Sequence, residues 1–222
     1  MNIPFATTLY IIIMNLALVF TVLKMLKYNH TEPKTQQIAF GIFGVWFVAT
    51  LFLFGKNSVI PSDISSLMLF IIILLGVGLV GLILSPIMKA LVTLPQEFLL
   101  LPQAFRMFFG AGFIVEAVFG IIPAGYGTVD GILHIATAFL ATTLAIYVAR
   151  GAKVTRSLIM VNIFGLLDIV IVAGGIAFFI LKDIGTDHNV FYAVFFAALI
   201  FIWLHLISLY KVYVESTNIE NA

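Results

Sequence analysis

Apolar residues in this chain fall in long runs, not in the alternation of a half-buried strand or the narrow stripe of a surface helix. A helix needs about 20 mainly apolar residues to cross the hydrocarbon of a bilayer. Six runs reach that scale, at 3–26, 37–54, 64–84, 128–149, 158–181 and 190–214. A seventh, 103–122, reaches it while carrying Arg106 and Glu116. The pattern predicts an all-α, polytopic membrane helix bundle of seven transmembrane helices, forming a single integral membrane domain over 1–222.

The stretch 86–101 does not fit that rhythm. It is apolar but short, and it contains Lys89, Pro95, Gln96 and Glu97. Prolines free backbone groups that lipid cannot satisfy, so an interfacial or partly re-entrant segment is expected there in place of an eighth span. A short local repeat, Leu94-Pro95-Gln96-Glu97-Phe98 and then Leu101-Pro102-Gln103-Ala104-Phe105, marks the same region.

Composition agrees with the pattern. Of the 222 residues, 63% are hydrophobic and only 9% are charged, and the mean hydropathy is +1.20. A soluble domain of this size has too little interior for that much apolar surface, so the lipid bilayer is the expected partner. Formal net charge is only +1, which gives no reason to expect nucleic-acid binding. The absence of cysteine removes disulfides and thiolate chemistry. The first run is too long for a signal-peptide core and lacks a basic leader, so it reads as a retained span.

Basic residues set the orientation. Lys24, Lys27, Lys34, Lys89, Arg150, Lys153, Arg156 and Lys211 fall on one side, Lys56 and Lys182 on the other, and Arg106 within a span. The positive-inside rule then predicts an external N-terminus and a cytoplasmic C-terminus, with the plasma (inner) membrane as the expected location.

Ionisable residues near mid-membrane are confined to the later spans. Asn15, threonines and serines are the polar content of the first three. The last four hold Arg106, Glu116, Asp130, His134, Asn162, Asp168 and His205. A charge at the centre of a membrane helix costs about 2.5–3.5 kcal/mol on insertion scales and usually faces a protein interior or a watery cavity. Asp130 and His134 are four apart and share a helix face that continues through Thr137 and Ala141. Gly112 and Gly120 flank Glu116 at four-residue spacing, a pattern that lets a neighbouring helix approach. Gly165, Asp168, Val172 and Gly175 follow the same logic. Asp168 falls near mid-bilayer, so these seven residues form a candidate ion, proton or substrate path. Glu116, Asp130 and His134 are the candidate metal ligands.

Other motifs carry little. Gly125-Tyr126-Gly127 lacks the preceding threonine and valine of a potassium filter. Gly76-Val77-Gly78-Leu79-Val80-Gly81 lies inside an apolar span with no strand before it. Asn29-His30-Thr31 is a glycosylation sequon expected on the cytoplasmic side. Lys211 stands at the end of the last span, not at its middle as retinal attachment requires, and His134 and His205 are expected too far apart in depth to share a haem. The leading expectation is a small transporter or proton/cation-translocating protein with an ion or small-molecule ligand. An intramembrane enzyme acting on a lipid or small molecule, with or without a metal, and a membrane scaffold or receptor-like subunit are the alternatives.

Overall fold

A computed structural model describes residues 3–54, 59–181 and 188–220. It is all-helical, with no strand among the described residues, and seven of its helical segments are long and apolar enough to cross a membrane. Seven such helices fit an integral membrane protein. The first three spans are α1 (Ile3–Tyr28), α2 (Pro33–Phe54) and α3 (Ile64–Leu84). Two short helices follow, α4 (Pro86–Thr93) and α5 (Gln96–Leu100), before α6 (Phe105–Val118), α7 (Ala124–Ala149) and α8 (Thr155–Gly175). The last span is α9 (Val190–Tyr192), a π-helical stretch Ala193–Ala197, and α10 (Ala198–Glu220). Lys56 and Lys182 lie outside the described residues.

Helix ends follow from local chemistry. Asp63 caps α3, accepting the Ser66 backbone N–H at 2.8 Å. α6 stops in a Schellman turn: Ile121 N–H bonds Glu116 O at 2.9 Å and Gly120 N–H bonds Ala117 O at 3.1 Å. Gly120 has φ +66° there, which glycine adopts without strain. Its backbone therefore leaves the helix, and the expected packing face Gly112–Glu116–Gly120 stops short of Gly120. The sequon at Asn29 is a helix end as well, with His30 at φ +55°.

The fourth span corrects the sequence reading. It runs Gln96–Val118, not 103–122. Pro95 caps α5, and Pro102 occupies the first turn of a 3-10 segment, Leu101–Ala104, that joins α5 to α6. Proline is tolerated in a first turn because its missing N–H would be unpaired there anyway. The α5 part of the segment expected at the interface is therefore inside the bundle, with Gln96, Leu99 and Leu100 buried.

The core lies along the last span. About two-thirds of its most apolar window is buried (67%), against 11% for α3. Phe191, Phe195, Phe196, Phe201 and Leu204 fill the centre. A π-helical turn displaces the regular hydrogen-bond ladder, and two neighbouring helices reach its carbonyls. Asn15 of α1 donates to Tyr192 O at 3.1 Å and Trp46 of α2 donates to Phe195 O at 2.9 Å. The first helices are thus more than lipid-facing bulk: they hold an irregular stretch of the last one in place.

Candidate functional site

Glycine brings α6 and α7 together. A Cβ on Gly110 would lie 2.5 Å from Gly131 O, and one on Gly131 would lie 2.6 Å from Gly110 O. This backbone-to-backbone approach is the small-residue packing of membrane helices. One turn from it on α6 stands Arg106. Three and four residues along α7 stand His134 and Ile135, both near the Gly110 contact. α8 completes the group with Asp168.

Asp168 is the hub. Its Oδ2 accepts hydrogen bonds from Arg106 Nη2 at 2.5 Å and from Thr137 Oγ1 at 2.8 Å. Its Oδ1 lies 3.1 Å from His134 Nδ1. Asp130 Oδ1 is 3.3 Å from the same nitrogen, within ion-pair distance. Nδ1 satisfies hydrogen-bond geometry only toward Asp168, and the Tyr126 hydroxyl beside Asp130 donates to Val172 O, so neither buried Asp130 oxygen accepts a well-formed hydrogen bond. Arg106 does not snorkel: it is 0% exposed. Its Nη1 donates to Gly165 O at 2.9 Å, and its guanidinium carbon lies 5.6 Å from the Phe201 ring centre. A Cβ at Gly165 would collide with the His205 imidazole. Glycine is needed at that position to admit both neighbours.

A hydrogen-bonded string continues from Arg106 toward the end of the bundle that carries Arg150 and Lys89. Arg106 Nη1 is 3.3 Å from His205 Nε2, and His205 Nδ1 is 2.8 Å from Asn162 Oδ1. Arginine can only donate, so Nε2 accepts and Nδ1 carries the proton, which makes the imidazole neutral and fixes its tautomer. Asn162 Nδ2 then donates to Ser208 Oγ at 2.9 Å, and Ser208 Oγ donates to Gln96 Oε1 at 2.9 Å. Gln96 Nε2 returns to Ser208 O at 3.0 Å. His134 and His205, expected far apart in depth, are linked through Arg106 and Asp168.

Of the seven candidates, Arg106, Asp130, His134, Asn162, Asp168 and His205 join this string. Glu116 does not. Its Oε1 accepts from Asn189 Nδ2 at 2.6 Å, and the same amide reaches Thr7 Oγ1 at 3.0 Å. Gln96 and Asn189 are partners that the sequence did not single out, whereas Thr137 was expected on the Asp130–His134 face. The i, i+3 spacing of Thr137 from His134 placed it on the right face; nothing in the chain foretold Asn189.

Two cavities border the centre. His134 lines a small one of about 40 Å³ with Phe109, Phe113, Val194 and Phe201, and its ring meets Phe113 edge-on at 5.8 Å. Asp130 lines a wider one of about 630 Å³ with Tyr126, Val129, Leu133 and Gly174. There Tyr126 donates its hydroxyl proton to Val172 O at 3.0 Å. One ligand atom from each of Asp130, His134 and Asp168 lies within 4.8 Å of the others. That is the separation at which three side chains can share one cation.

Comparison with known proteins returns no match among curated proteins and none among solved structures. A match does cover residues 63–213, which include α3 through the last span and every residue of the string. On that match the chain belongs to the family described as Domain of unknown function (DUF8737).

Proposed function

We propose that this protein is a cation-translocating membrane protein whose binding centre is Asp130, His134 and Asp168. The observation that carries the reading is an imbalance. Two carboxylates converge on one imidazole nitrogen in a buried place, yet a single guanidinium is their fixed counter-charge, and the Tyr126 hydroxyl beside Asp130 gives its proton to Val172 O. An uncompensated buried charge costs several kcal/mol, and a mobile cation, a proton among them, removes that cost when it binds.

Arg106 gives the site direction. It keeps its positive charge, so protons cannot pass through it along the hydrogen-bonded string. The inner part, His205 to Gln96, serves as a fixed buttress that holds Arg106 against Asp168. Translocation then requires access to the triad to alternate by helix movement. The π-helical stretch Ile176–Ile180, which follows the site on α8, supplies an irregular point in the helix wall. The excess of basic residues at the opposite end supports an external N-terminus and a cytoplasmic C-terminus in the plasma (inner) membrane. Asp130 then faces the outer half.

The test is ion flux into liposomes containing the purified protein, driven by a proton or metal-ion gradient. Asp130→Asn removes one charge and leaves the Arg106–Asp168 pair in place. Flux at background for this variant supports the reading; flux equal to wild type rejects it.

A further inference from the structure

We infer that the triad is a site for a divalent transition-metal ion of the zinc class, held by Asp130, His134 and Asp168 with a fourth position open. The inference rests on reading the triad as a cation centre and names the cation.

Ligand chemistry narrows the choice. Imidazole with carboxylates suits zinc, iron, manganese or nickel, whereas calcium and magnesium demand six or more oxygens. Here two carboxylates and a nitrogen converge, and no carbonyl oxygen is among the three donors. Distances agree. Ligands about 2.0–2.1 Å from a tetrahedral ion stand roughly 3.3–3.4 Å from one another. His134 Nδ1 lies 3.1 Å from Asp168 Oδ1 and 3.3 Å from Asp130 Oδ1.

The surroundings are those of a supported site. Metal-binding carboxylates are usually oriented by outer partners. The far oxygen of Asp168 is held by Arg106 and Thr137, which turns Oδ1 toward the other two donors. The Asp130 oxygens are buried and accept no well-formed hydrogen bond, the adjacent Tyr126 hydroxyl donating to Val172 O, which is the condition a cation would relieve. Asp130 also borders the open, largely apolar groove of about 630 Å³. Three protein ligands and one open position are the pattern of an exchangeable or catalytic site, not a closed structural one. Two carboxylates and Arg106 leave one negative charge, so a divalent ion leaves one positive. An anionic fourth ligand, such as hydroxide, restores neutrality.

The experiment uses the full chain in detergent, stripped with a chelator and titrated with Co²⁺ or Zn²⁺. Visible absorption of Co²⁺ reports a tetrahedral site, and metal content after gel filtration reports stoichiometry. The expected result is one ion per chain, lost in Asp130→Asn and in His134→Gln. Thr137→Val is expected to weaken binding on the order of tenfold, while Glu116→Gln leaves it unchanged. Calcium and magnesium are expected not to compete. Failure of the wild-type protein to retain an ion overturns the inference, as does equal retention by both ligand variants. If no metal binds but Asp130→Asn abolishes proton flux, the metal falls and the cation-centre reading stands. If metal binds at the triad but the variant transports normally, translocation falls and the metal site stands.

Discussion

The first three spans and the last four solve the same problem in different ways. α3 buries only 11% of its most apolar window, the last span 67%. In the first group a polar side chain reaches out to a backbone carbonyl: Asn15 to Tyr192 and Trp46 to Phe195. In the second, polar side chains reach one another, from Asp130 through His134, Asp168 and Arg106 to His205 and Asn162. Carbonyl-seeking contacts stabilise a shape and leave no charge behind. The mutual contacts bring two carboxylates to one imidazole nitrogen, and that convergence of charge has a use for a cation.

The sharpest way to break this contrast is at Arg106. Arg106→Met leaves Asp168 buried without its counter-charge and is expected to cost about 3–5 kcal/mol, read as unfolding in detergent. A loss no larger than that of a lipid-facing substitution such as Leu69→Ala would show that the pair is not buried in the folded protein. Gly165→Ala comes next. The added methyl strikes His205, and overpacking of that kind costs about 1–3 kcal/mol. A neutral result would place His205 elsewhere.

Smaller effects sharpen the comparison from the other side. Asn15→Ala and Trp46→Phe each remove one interhelical hydrogen bond, worth about 0.6–2 kcal/mol in membrane proteins. They are expected to lower thermal stability while flux per folded molecule stays at the wild-type level. Loss of flux without loss of stability would move these residues into the functional group. The least effect belongs to Asp63, an exposed cap. The Ser66 backbone N–H holds its carboxyl below the usual range. The contribution is therefore fully present above the ordinary carboxylate value and is lost as pH falls through the lowered one. Asp63→Ala is expected to abolish that small acid-side decline in α3 stability, measured by amide exchange of residues 64–67.

Much of this contrast was legible in the sequence. Seven apolar runs and the confinement of mid-membrane ionisable residues to the later ones can be read without any knowledge of packing, because lipid imposes a length and excludes charge locally. Asp130 and His134 shared a face by spacing alone. What could not be read was pairing across helices. Glu116 lies one span away from His134, as Asp168 does, but its carboxyl meets Asn189 and Thr7. The difference lies in how α6, α7 and α8 are rotated about their axes, which depends on close contacts such as Gly110 with Gly131. The extent of the fourth span was hidden for a local reason: Pro95 and Pro102 look like breaks, yet both stand at helix starts.

The most direct measurement compares initial rates of ion flux for Asp130→Asn and Asn15→Ala in liposomes of one lipid composition, normalised to folded protein. Flux is expected to fall to background for the first and to persist for the second. Equal retention in both, or a decline that merely follows each variant's stability, would contradict the existence of an ion centre at Asp130, His134 and Asp168.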